Sequence, residues 1–117
     1  MDAKFYVPYE TARELRLKGY PQSTGTWYVE MARGVRIFKN QTNKEFEYIA
    51  RPTYHEVLDW LEHTHHISVW ASYIKQRWYG AVCRNDIRDA DNTYPGDFYT
   101  SREEALNVAI LETLKRL

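Results

Sequence analysis

Three side chains that can bind metal recur at helical spacing in the middle of the chain: His55, Asp59 and His63. Residues four apart lie on one face of an α-helix, and histidines placed in this way can converge on zinc or nickel. A metal site needs further ligands and supporting partners, whereas any amphipathic helix places polar residues on this face. We therefore predict an exposed polar face and no metal.

Two further features resemble parts of catalytic sites. Residues 55–59 match the zinc-protease helix motif except that Asp59 replaces its second histidine, and Glu56 is already explained by helix capping. Cys83 has no evident activating base and is predicted to be a small buried hydrophobe in a strand. We expect a protein that is not an enzyme and needs no cofactor.

The aspartates of residues 85–97 offer oxygen ligands of the kind that calcium prefers. However, Tyr94 and Thr100 stand where a calcium-binding hand needs glycine and glutamate. We interpret the segment as an exposed loop, which contains Asp86, Asp89, Asp91 and Asp97.

Aromatic and basic residues interleave along residues 67–84, and a binding surface there would consist of Trp70, Arg77, Trp78 and Tyr79. Sheets of this character can stack single-stranded bases. The formal net charge is zero, from 16 basic and 16 acidic residues, which argues against a nucleic-acid partner. Contact with a protein partner or a homodimer is the first hypothesis, and nucleic-acid binding is the alternative.

The clearest element is an amphipathic helix over residues 53–66. Thr53 and Glu56 form a capping box at its start. Its apolar face repeats at the helical period, and consists of Tyr54, Val57, Leu58 and Leu61, widened by Trp60.

The other elements follow from periodicity and from turn residues. Gly19 ends a first helix, and Ser101 with Glu104 caps the last one. Gly80 indicates either a bulge or a close backbone approach. The predicted helices are 9–18, 53–66 and 101–117, and the strands are 26–31, 35–39, 45–50, 67–74, 78–84 and a short edge strand at 97–100.

This order predicts an α+β fold with antiparallel sheets and three helices in one domain over residues 1–117. Its core combines helix and strand residues: Val57, Leu58, Leu61, Val69, Val82, Leu106, Ile110 and Leu114. Residues 1–52 carry a net charge of +3 and residues 53–117 a net charge of −3.

The single cysteine excludes an internal disulfide, and no apolar run has the length of a signal peptide core or of a membrane span. These features lead us to expect a cytoplasmic protein without a membrane partner.

Three stretches, at residues 7–20, 51–61 and 101–114, resemble a group of small uncharacterised prophage and mobile-element proteins of Bacteroidetes. The resemblance implies a phage or mobile-element origin and supplies no catalytic residues. The order strand, strand, loop and Ser-Arg-Glu-Glu-Ala-Leu is also similar to the HicB-like antitoxin module, a partial double-stranded-RNA-binding fold. That similarity implies a regulatory role.

Overall fold

Three α-helices and two antiparallel sheets make up residues 3–88 and 91–117, the part of the chain that the computed structural model describes. The predicted α+β class is confirmed. The chain divides into two compact units, a first unit that ends at Thr53 and a second unit that begins at Tyr54. The single domain over residues 1–117 stays a prediction.

The first unit begins with a short 3₁₀ helix and holds one α-helix and a three-stranded sheet of order β2-β1-β3. Helix α1 ends because Gly19 adopts a positive φ of 91°, which lets the Tyr20 N–H bond the Leu15 carbonyl at 2.9 Å. The elements are the 3₁₀ helix Ala3–Phe5, α1 Tyr9–Leu17, β1 Trp27–Met31, β2 Gly34–Phe38 and β3 Ile49–Ala50.

The third strand is shorter than the sequence predicts, since only Ile49–Ala50 of residues 45–50 pairs with β1. Asn43 explains the difference. Its side-chain oxygen accepts the Glu45 N–H at 2.9 Å, and its carbonyl accepts the Phe46 N–H at 3.2 Å. Such local bonds favour a turn over a strand.

The second unit consists of a helix, a two-stranded hairpin and a last helix: α2 Tyr54–His65, β4 Ile67–Ile74, β5 Arg77–Arg84 and α3 Arg102–Lys115. The predicted cap of α3 is present, because the Ser101 Oγ accepts the Glu104 N–H at 3.1 Å. The hairpin turn is shorter than predicted. It contains Lys75 and Gln76 alone, both with positive φ as tight hairpins require, so Arg77 belongs to β5.

No separate strand forms at residues 97–100. Instead, Thr93 and Tyr99 each exchange a pair of backbone hydrogen bonds with β5, at Val82 and at Trp78, with N···O distances of 2.7–2.8 Å. The segment between them therefore lies along the outer edge of β5.

Gly80 is the place where α3 approaches the hairpin. A Cβ at Gly80 would lie 2.7 Å from the Ala105 carbonyl oxygen and 2.8 Å from the Ala109 Cβ. The β4–β5 register continues through Gly80 opposite Ala71, so the residue is a close approach and not a bulge. Side chains alternate across a strand, which places α3 on the face that carries Gly80.

The predicted core is confirmed at Val57, Leu61, Val69, Leu106, Ile110 and Leu114, which are all buried. Leu58 and Val82 are only half-buried. The apolar stripe of α2 is therefore narrower than its sequence period indicates.

Leu61→Ala should lower the free energy of unfolding by about 2–5 kcal/mol, because the side chain is fully buried. Leu58→Ala is the matched control in the same helix and should cost less. Chemical denaturation measures both variants. A loss below about half a kcal/mol at Leu61 would contradict the assignment of α2 to a core, given the usual cost of such truncations.

Gly80→Ala should destabilise the protein by about 1–3 kcal/mol, because the added methyl group overpacks the contact with α3. Gly25→Ala is the control, since a Cβ there meets no atom within 4 Å. Thermal unfolding followed by circular dichroism should separate the two variants. Equal melting temperatures would disprove the close approach.

Candidate binding surface

Four apolar side chains of the second unit line one shallow depression of about 330 Å³. Three of them are about half exposed: Ile74 at 48%, Tyr94 at 57% and Phe98 at 47%. The fourth, Tyr79, lies between the two aromatic rings. We call Ile74, Tyr79, Tyr94 and Phe98 the aromatic patch.

The rings of the aromatic patch pack edge to face. The Tyr79 centroid lies 5.7 Å from that of Tyr94 and 6.1 Å from that of Phe98, with interplanar angles of 62° and 78°. Aromatic pairs favour this geometry because the positive edge of one ring meets the negative face of the other. The patch is therefore an ordered surface.

Local structure holds the two loop residues of the patch in place. The bonds to β5 at Thr93 and Tyr99 fix both ends of the segment. Within it, Gly96 has a φ of 76°, and a side chain there would collide with the Tyr99 hydroxyl. The Asp97 carboxylate accepts the Phe98 N–H at 2.8 Å. These constraints orient Tyr94 and Phe98 toward Tyr79.

Two basic residues flank the patch. Arg77 pairs with Ile74 across the hairpin, so both side chains leave the same face of the sheet. Lys75 lies in the adjoining turn. Both cations are exposed, and neither forms an ion pair within the described part of the chain. The surface thus combines exposed rings with two cations at one end, and Asp97 is the acidic residue that lines the depression.

The strand register places the four residues of the predicted binding surface on two different faces of the hairpin. Trp70, Arg77 and Tyr79 lie on the face away from α3, whereas Trp78 lies on the α3 face. There Trp78 contacts Tyr73, with ring centroids 5.1 Å apart. The four residues therefore form no single stacking surface.

Sequence reasoning missed Tyr94 and Phe98, which contribute most of the exposed aromatic area of the patch. Tyr94 lies in the stretch interpreted as an exposed loop, and Phe98 lies in the predicted edge strand 97–100. The available signal was two large aromatic residues within an aspartate-rich segment.

The candidate metal ligands on α2 lie on its surface. The His55 Nε2 is 3.4 Å from the Asp59 Oδ2, with both side chains more than half exposed. The His63 Nδ1 contacts the Asp59 backbone oxygen at 2.8 Å, so its ring turns to the main chain. Over residues 3–88 and 91–117, no group of three or more His, Cys, Asp or Glu side chains is placed to hold a metal ion.

Two carboxylates of the acidic loop form local bonds, those of Asp86 and Asp97. Asp86 accepts two hydrogen bonds from the Arg84 guanidinium, at 2.8 and 3.2 Å. These bonds lower the pKa of the Asp86 carboxyl below its usual value. Asp97 bonds the backbone, and Asp89 lies outside the described residues.

A second cavity, of about 410 Å³, lies beside the C-terminal end of α3 and contains His65, Arg84, Asp91, Glu112 and Arg116 among its lining residues. The Arg84 side chain is occupied by Asp86, and Glu112 pairs with Lys115 at 3.0 Å. The His65 ring packs edge to face on Trp60, with its Nε2 buried. The contacts of these residues include no nucleophile–base pair.

Comparison with protein-family models, with curated proteins and with solved structures finds no match to this chain. None of the described helices has the length and apolar composition needed to cross a bilayer.

Elemental analysis of protein purified without a histidine tag should find less than about a tenth of an equivalent of zinc or nickel, because a stable site needs a closed ligand set. The His55→Ala plus His63→Ala variant is the control and should give the same value. A stoichiometric metal that this variant loses would contradict the prediction and revive an enzymatic hypothesis.

Proposed function

We propose that this protein is a non-enzymatic binding or assembly protein whose aromatic patch contacts a protein partner. The half-exposed Ile74, Tyr94 and Phe98 around one depression carry the proposal. Contiguous exposed apolar groups mark interaction sites, and aromatic residues are enriched at the centres of protein interfaces.

The basic residues beside the aromatic patch indicate which class of partner it can bind. Lys75 and Arg77 present positive charge beside the apolar depression, so the surface suits a segment that combines apolar side chains with acidic ones. Acidic groups on the partner would speed association and fix its orientation. Apolar contact with Tyr94 and Phe98 would supply most of the affinity.

The resemblance to prophage and mobile-element proteins supports a phage or mobile-element origin. A cytoplasmic location is part of the same proposal. The single cysteine is consistent with a reducing compartment. A small protein of this kind acts by holding a partner or by joining an assembly.

Nucleic-acid binding is the second candidate, because Arg77 lies on the same face of β5 as Tyr79, whose ring can stack on a base. The similarity to the HicB-like module supports an antitoxin-like role of this kind. The zero net charge, and the excess of acidic residues over residues 53–117, argue against it.

A photocrosslinking amino acid at Phe98 should capture a discrete protein from the host lysate, because this position lies on the patch. The same probe at Ile37, which is 54% exposed on β2, is the matched control and should not capture that protein. Added wild-type protein should compete for the crosslink. The Tyr94→Ser variant should compete about tenfold less well, as expected for an interface anchor.

Titration of labelled single- and double-stranded oligonucleotides at two salt concentrations separates the two candidates. Salt-sensitive micromolar binding that is lost on Arg77→Ala and on Tyr79→Ala would favour nucleic acid. The Trp78→Ala variant is informative because that ring lies on the other face, and its loss should leave such binding intact. The absence of both a crosslink at Phe98 and oligonucleotide binding would contradict both candidates.

A further inference from the structure

Strand β4 forms an unpaired edge of its sheet. It pairs with β5 on one side, and no backbone hydrogen bond within residues 3–88 and 91–117 reaches its other side. The far edge of β5 is occupied at Val82 and Trp78. The two edges of the hairpin therefore differ, and β4 alone can accept a further strand.

The hydrogen-bond pattern identifies the groups available on this edge. Val82 and Trp78 direct their N–H and C=O groups away from β4. In an antiparallel ladder, the β4 residues opposite Val82 and Trp78 also direct their N–H and C=O groups away from the partner strand. Outward and inward groups alternate from one residue to the next along β4. The outward groups of β4 therefore belong to Ile67, Val69, Ala71 and Tyr73.

The sequence of the strand lacks the usual protection against pairing. Natural edge strands carry charged residues, proline or bulges, or are very short. Strand β4 has eight residues, Ile-Ser-Val-Trp-Ala-Ser-Tyr-Ile, with no charge, no proline and an unbroken register. Its last two residues, Tyr73 and Ile74, are 58% and 48% exposed. An uncharged strand of this length at an open edge is suited to strand addition.

We infer that β4 pairs antiparallel with β4 of a second copy of this chain, across a twofold axis at Ala71. The inference rests on the assembly role proposed above and adds a second copy of the chain as a partner at a different surface. This axis places Val69 of one copy opposite Tyr73 of the other. The outward N–H and C=O groups of the two strands therefore face each other. The same register places Trp70 opposite Ser72, a large side chain beside a small one. No like charges meet, because the strand has none.

A second copy fits better than an unrelated strand for a geometric reason. A twofold interface must be complementary to itself, and an uncharged strand with the large Trp70 on one side of Ala71 and the small Ser72 on the other meets that condition. An axis nearer the start of β4 would use the buried end, at Ile67 and Val69, in place of the exposed one.

Ala71→Pro tests the pairing, because it removes an outward N–H while the inner ladder keeps its bonds. Sedimentation equilibrium should give the wild-type protein about twice the 14.0 kDa chain mass, and the variant the single chain mass. The dissociation constant of the Ala71→Pro dimer should be at least tenfold higher than that of the wild-type dimer. Ala32→Pro, in the exposed β1–β2 turn, is the matched control and should remain a dimer.

A charge pair keeps the test decisive if proline disturbs the fold. Ser72→Lys and Ser72→Glu, with side chains on the face away from α3, should each be monomeric, because identical charges lie diagonally across the axis, and their mixture should form a heterodimer. A monomeric wild-type protein at its highest soluble concentration would overturn the inference. So would a dimer that persists in the folded Ala71→Pro variant, or a mixture that stays monomeric.

The aromatic patch provides a separate readout. A protein crosslink at Phe98 that survives in monomeric wild-type protein would overturn the dimer while it supports the binding role. A dimer without any crosslink would support strand pairing and contradict the proposed partner.

Discussion

The absence of a side chain at Gly80 is the constraint on which the second unit depends. Because the residue has no Cβ, the Ala105 backbone and the Ala109 methyl group of α3 lie directly against β5. Both alanines are fully buried. This contact determines which face of the hairpin is covered, since strand alternation then fixes the direction of every other side chain. Tyr79 and Arg77 point away from α3 as a consequence of the Gly80 contact.

The two edges of the hairpin differ for a similar reason. The loop that leads to Ser101 passes the outer edge of β5, where it bonds Val82 and Trp78. Those bonds convert a polar segment into a support for Tyr94 and Phe98. A surface held in this way loses little entropy when it binds, which favours affinity. The same bonds leave β4 as the edge without a neighbour.

Local signals were sufficient for much of the fold and insufficient for the site. Periodicity and capping residues predicted α2, β4 and α3 because those signals lie within the elements themselves. The third strand was predicted too long because Asn43 binds the backbone locally. The faces of β5 depend on the length of its turn, and Lys-Gln is not a usual tight-turn pair. A one-residue error there would reverse every side chain. The loop contribution to the patch arises from long-range backbone pairing, which no local pattern encodes.

The distribution of aromatic residues gives the binding hypothesis its physical basis. The chain has 18 aromatic residues, more than its predicted inner faces require. In the first unit, mutual contacts occupy a cluster formed by Trp27, Phe38, Phe46 and Tyr48. In the second unit, Tyr73, Tyr94 and Phe98 remain about half exposed. Phe5 of the first unit is exposed to a similar extent, at 46%, but it lies apart from the second unit's group of rings in sequence. Exposed apolar area is costly in water, so the contact of Tyr94 and Phe98 with Tyr79 favours a contact surface over incidental exposure.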